Sequence, residues 1–273
     1  MTTLYRDMNK AALDAAYNNS AAVNNSAALM DGFAEQSAIA RTMPGAVLGL
    51  RYGPAERHLI DYFPAERPGP LVVFIHGGYW QMRAKEGFSY IAKAMVPHGL
   101  HVALVGYTLA PGATLGTIVQ EVRNAMGYLK VNAASHGGDA SRMVVTGWSA
   151  GGHVAAMCLD EPGVVGGVAI SGIYDLEPMR LSYVNDKLGL TLKDVAELSP
   201  MKLALSAKPL VVAYGEAELP EMQRQSREFF ELRRSAGKPG ELVPLAGLNH
   251  FTILEDLGNP DGQQVRALRR LIA

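Results

Sequence analysis

The chain has 273 residues, of which 48% are hydrophobic and 19% charged, and its formal net charge is −1. That balance suits a globular protein with a large core and gives no electrostatic reason to hold nucleic acid or an anionic membrane. One cysteine, Cys158, excludes an intramolecular disulfide, and no Cys/His set has metal-ligand spacing, so neither a metal nor another cofactor is expected.

The first residues carry Asp7 and Asp14 and no apolar stretch of a secretion signal, and the longest apolar runs are too short to span a bilayer. A cytoplasmic protein is expected. Residues 4–17 read as a helix with Leu4, Met8, Leu13 and Ala16 roughly on one face. An Asn/Ala-rich stretch at 18–28 is the nearest thing to a linker. Two strand-like runs follow, 46–52 and 58–63, with a Gly-Pro turn between them.

From Pro70 onward, short apolar runs alternate with helical stretches. The runs are 71–75, 101–107, 143–148, 165–171, 209–214 and 241–245; the helical stretches lie near 85–97, 116–135, 150–160, 219–236 and 261–272. Nearly continuous apolar strands separated by helices indicate a mainly parallel sheet covered on both faces. The expectation is an α/β fold of about eight strands in one domain over 1–273, with 46–52 and 58–63 as an antiparallel edge. The N-terminal helical segment 1–40 and an insertion at 172–208 are candidate cap elements over the strand ends, where ligands bind in such sheets.

Three places carry chemistry. Gly147-Trp148-Ser149-Ala150-Gly151 satisfies G-x-S-x-G between a strand and a helix, the context of a nucleophile elbow. A sharp turn there lifts the Ser149 hydroxyl above the sheet, and the following helix N-terminus favours developing negative charge. The bland alternative is a plain glycine turn. His76-Gly77-Gly78-Tyr79-Trp80 directly follows the strand 71–75, where an oxyanion loop would lie; the N–H groups of Gly78 and Ala150, with Gly77 beside them, are the candidate donors. Trp148 and the Tyr79-Trp80 pair are candidates for the substrate pocket, and the pair is equally readable as core.

His250 stands after the last strand and is the candidate base among seven histidines. His76 is expected to brace the oxyanion turn and His153 to pack on the elbow helix. His58, His98, His101 and His136 read as surface or structural groups. The order Ser…Asp/Glu…His asks for a carboxylate after the strand 209–214, and the segment there holds Glu216, Glu218 and Glu221 but no aspartate. Glu218 is placed to turn back towards His250, Glu216 competes with it, and Glu221 reads as the start of the next helix. Cys158 reads as a small core residue.

With these residues in hand, His76-Gly77-Gly78-Tyr79-Trp80-Gln81 and Gly147-Trp148-Ser149-Ala150-Gly151-Gly152-His153 resemble the arylformamidase (kynurenine formamidase) branch of the α/β-hydrolases. The resemblance extends over most of the chain, including Tyr17-Asn18-Asn19. It implies a triad of Ser149, Glu218 and His250, oxyanion donors at Gly78 and Ala150, and hydrolysis of N-formyl-L-kynurenine to L-kynurenine and formate through an acyl-enzyme. Eukaryotic members tend to carry aspartate where this chain has Glu218. A broad carboxylesterase or another aryl-amide amidase is the alternative, and a non-catalytic binding module a third. The expected partner is a small amide or ester, and a homodimer remains open.

Overall fold

In the computed structural model, which describes residues 3–272, eight strands build one sheet. They are β1 (Val47–Arg51), β2 (Leu59–Phe63), β3 (Gly69–Ile75), β4 (His101–Val105), β5 (Gly138–Trp148), β6 (Val164–Ile170), β7 (Leu210–Gly215) and β8 (Gly240–Leu245). Their spatial order is β1-β2-β4-β3-β5-β6-β7-β8. β2 runs antiparallel to both neighbours, and every pair from β4 to β8 is parallel. This is the α/β-hydrolase fold.

Alternation along the central strands supplies two cores. On β3, Leu71, Val73 and Ile75 point to one face and Val72 and Phe74 to the other, and all five are fully buried. Each such side chain contributes about 1.5–3 kcal/mol of transfer free energy, which is why these runs are apolar throughout.

The helices are α1 (Lys10–Ala16), α2 (Asn19–Ala22), α3 (Ser26–Ala40), α4 (Ile91–Met95), α5 (Leu115–Asn132), α6 (Ala150–Met157), α7 (Glu177–Leu181), α8 (Asn185–Leu188), α9 (Leu192–Leu198), α10 (Pro220–Ser235), α11 (Ile253–Leu257) and α12 (Gln263–Leu271). The buried side chains of α1, α5, α6 and α10 join the Leu71 face, and those of α3, α4, α11 and α12 join the Phe74 face. Among the described residues no helix is long and apolar enough to cross a membrane.

The amino-terminal segment departs from expectation. Helix α1 begins at Lys10 rather than near residue 4, because the Asn9 side chain accepts from the Ala12 N–H at 3.0 Å and caps the helix there. Ahead of it Tyr5 and Met8 exchange backbone hydrogen bonds around Arg6, whose φ is +47°. Helix α3 lies within the helical segment expected over 1–40, but its boundaries were not drawn. Its buried positions Met30, Phe33, Ser37 and Ala40 keep helical spacing, but two of the four side chains are too small to mark an apolar stripe.

Candidate active site

The carboxyl ends of β3, β5, β6 and β7, with the loop after β8, converge at one edge of the sheet. β5 delivers Ser149 in a turn with φ +59° and ψ −119°, outside the ordinary regions for a residue with a side chain. Two glycines permit it: a Cβ at Gly147 would sit 2.2 Å from the Gly151 carbonyl oxygen, and one at Gly151 would sit 2.0 Å from that of Ile75. The Ser149 N–H is tied to the Ile170 carbonyl at 2.8 Å, which holds the strained residue to the neighbouring strand. Ala150 is the first residue of α6, so its N–H has no acceptor within the helix.

Ser149 Oγ lies 3.1 Å from His250 Nε2, and His250 Nδ1 lies 3.0 Å from Glu218 Oε2. All three side chains are buried. The other oxygen of Glu218 accepts from Ser171 Oγ at 2.6 Å and from the Gly215 N–H at 2.7 Å. Three donors thus converge on one carboxylate, and an Nδ1–H donated to it leaves Nε2 with a lone pair facing Ser149. The main chain of His250 is fixed as well, since Trp148 Nε1 donates to its carbonyl at 2.8 Å. Glu216 is exposed and stands apart from this chain of bonds. Glu221 lies in the first turn of α10 and accepts from Tyr17 and Arg224.

The loop after β3 is folded tightly against the elbow. A Cβ on Gly77 would come within 2.6 Å of the Trp148 carbonyl oxygen, and one on Gly78, whose φ is +114°, within 2.4 Å of the Met82 carbonyl oxygen. Tyr79 and Trp80 follow with φ of +50° and +58°. Two successive side-chain-bearing residues in the left-handed region are costly, and such strain concentrates at working sites. His76 lies beneath the loop with Nδ1 2.8 Å from the Gly77 carbonyl, and its ring stacks on Tyr107.

A crevice of about 30 Å³ opens beside Ser149, with Gly78, Tyr79 and Trp148 among its lining groups. Trp80 does not line it. It is fully buried, edge-on to His153 at 5.1 Å, and so occupies the core position of its two readings. His153 bonds the Leu198 carbonyl at 2.8 Å. Cys158 is buried, and burial pushes its thiol up to about 12, the condition of an inert core residue. Among the described residues no group of three or more His, Cys, Asp or Glu side chains could hold a metal ion.

Burial brings His76 and His153 down from 6.5 to about 4. Both are therefore neutral in the fold and bind protons more readily when unfolded. Their contribution is intact above about pH 6.5 and is lost as the pH falls towards 4, by about 1.4 kcal/mol per pH unit for each histidine. Thermal unfolding between about pH 7 and pH 5 is expected to show this loss, with a shallower slope for His153→Gln. An unaltered slope in that variant would remove His153 from the account.

Ser171 was not singled out in the sequence, although it supports Glu218 directly. Its φ of +49° turns the hydroxyl towards the end of β7. The signal available was a polar residue closing an apolar strand beside the one that leads to Glu218. Asn19 and Arg83 also stand on the crevice wall; Asn19 belonged to the Tyr17-Asn18-Asn19 resemblance without a role, and Arg83 carried no motif.

The BD-FAE family model matches residues 61–162. A kynurenine formamidase of Danio rerio is 31% identical over 251 residues, covering 85% of this chain and 84% of its own. The chain belongs to the kynurenine formamidase family. A kynurenine formamidase of Salmo salar is 29% identical across 98% of each chain. A solved structure from Silicibacter sp. TM1040, described as a candidate thioesterase, superposes with a TM-score of 0.85 at 29% identity, over 94% of this chain and 98% of that one. Membership of this family makes the chain a hydrolase acting on small molecules.

Proposed function

We propose that this hydrolase cleaves N-formyl-L-kynurenine to L-kynurenine and formate by a serine acyl-transfer mechanism. The observation that carries the reading is the hydrogen-bonded series Ser149–His250–Glu218 in a member of the kynurenine formamidase family. His250 Nε2 takes the Ser149 proton as Oγ attacks the formyl carbon, and the resulting oxyanion lies against the N–H groups of Gly78 and Ala150. The imidazolium then returns its proton to the departing aryl amine, leaving a formyl ester on Ser149. Water, deprotonated by the same histidine, releases formate.

The crevice beside Ser149 is small, about 30 Å³, which supports a small acyl group. Residues 1–40 and 172–208 act in this reading as a cover. Asn19 lines the crevice, Gln81 donates to the Val184 carbonyl at 2.6 Å, and the Tyr183 N–H donates to Asp14 at 2.8 Å.

The test is steady-state hydrolysis of N-formyl-L-kynurenine beside p-nitrophenyl acetate. A kcat/KM for the formamide at or above about 10⁴ M⁻¹s⁻¹ supports the reading. Turnover of the ester alone would discard the formamidase and retain an esterase, the alternative favoured by the likeness to a candidate thioesterase. Gly78→Ala is expected to lower kcat by about 10²-fold or more, because a Cβ there must displace the donor N–H. Activity within twofold of the unsubstituted enzyme would exclude Gly78 as a donor.

A further inference from the structure

Arg83 follows the oxyanion loop with φ +74°, and Arg57 Nη2 holds its carbonyl at 2.6 Å. This left-handed turn brings its side chain to the wall of the crevice that Ser149 and His250 line. The guanidinium carbon lies 5.8 Å from the centre of the Trp148 ring. Among the described residues no hydrogen bond or ion pair engages the guanidinium, and Asp31 acts on it only through space. Burial disfavours its charge, yet an arginine stays protonated. A half-buried guanidinium that no side chain of the described residues bonds is free to pair with a carboxylate.

Asn19 supplies a second, independent observation. The Tyr79 hydroxyl donates to the Tyr17 carbonyl at 2.5 Å, so its oxygen accepts from Asn19 Nδ2 at 3.1 Å. That assignment fixes the amide and leaves Asn19 Oδ1 buried without a partner. A buried acceptor left unpaired is costly, and an N–H of a bound molecule would relieve it.

We propose that Arg83 and Asn19 form a leaving-group subsite, in which Arg83 takes a carboxylate of the departing amine and Asn19 Oδ1 accepts from its N–H. The subsite rests on the reading of Ser149 as the acylated residue. It makes Arg83 and Asn19 the residues that set a preference for formamides of carboxylate-bearing aryl amines over neutral formanilides. Both side chains line the same crevice as Ser149 and His250, so a leaving group departing from Ser149 passes them. A planar guanidinium matches a carboxylate with two parallel hydrogen bonds, which lysine cannot reproduce.

Four substrates test it: N-formyl-L-kynurenine, formanilide, meta-acetoxybenzoate and phenyl acetate. The unsubstituted enzyme is expected to prefer the carboxylated member of each pair. Arg83→Ala is expected to reduce that preference at least about tenfold, mainly through KM, with Arg83→Lys restoring part of it. Asn19→Leu is expected to lower the amides relative to the esters. Because each readout is a ratio within one preparation, a general loss of folded enzyme does not alter it. If the formamides turn over and Arg83→Ala leaves both ratios unchanged, the carboxylate subsite is overturned while the formamidase reading stands. If neither formamide turns over, that reading fails together with the Asn19 contact, and the ester pair still decides Arg83.

Discussion

Ser149→Ala is expected to lower kcat/KM for any acyl substrate that turns over by about 10⁴-fold or more, with no loss of thermal stability. The substitution deletes one oxygen, the atom 3.1 Å from His250 Nε2. In the proposed mechanism it leaves in place the Gly78 and Ala150 N–H groups, whose donation to the oxyanion would supply the residual rate. The fold should not suffer, because Ser149 Oγ makes no other hydrogen bond among the described residues and the site is strained rather than stabilising. Ser149→Gly extends the argument. Glycine tolerates φ +59°, so relief of about 1 kcal/mol should raise the unfolding midpoint by about 2 °C while abolishing activity. Calorimetry on the same preparations used for kinetics checks both halves. Retention of activity within tenfold in Ser149→Ala would remove the serine mechanism and leave the fold assignment untouched.

Much of the architecture was legible because burial on both faces of a parallel sheet demands continuous apolar runs, and each of the eight runs corresponds to a strand. Boundaries were less legible. β5 starts at Gly138 because polar residues as far as Arg142 still pair or run along its edge, whereas apolar character begins only at Met143. The chemistry-bearing residues stood out where a local turn dictates the sequence, as at Gly147–Gly151 and Gly77-Gly78. His250 and Glu218 could be placed from strand order. Contacts made across the chain left no local trace. Ser171, Arg83 and Asn19 depend on backbone turns and on neighbours distant in sequence, such as the Tyr17–Tyr79 bond that orients Asn19. Trp80 was undecidable for the same reason: the positive φ values at Tyr79 and Trp80 decide which ring faces the crevice and which the core.

Glu218→Gln is expected to lower kcat by about 10⁴-fold, although it preserves size, shape and most hydrogen-bonding capacity. The reason lies in the two donors on the far side of the carboxylate. The Gly215 N–H can only donate and so requires an acceptor at the Oε1 position, where Ser171 Oγ also donates, so the amide oxygen of the variant must sit there. The amide NH₂ is then forced into the Oε2 position, 3.0 Å from His250 Nδ1. A donor facing Nδ1 selects the tautomer with its proton on Nε2, and that nitrogen can no longer accept from Ser149. Glu218→Asp keeps the charge and shortens the reach, so it should retain the correct tautomer and lose less activity than the amide. Glu216→Gln is the control, because Glu216 is exposed and should behave as the unsubstituted enzyme. Steady-state kinetics on the three variants discriminates them. If Glu216→Gln were the damaging substitution and Glu218→Gln the silent one, the acid assignment would pass to Glu216, and the bonds from Ser171 and Gly215 would be structural only.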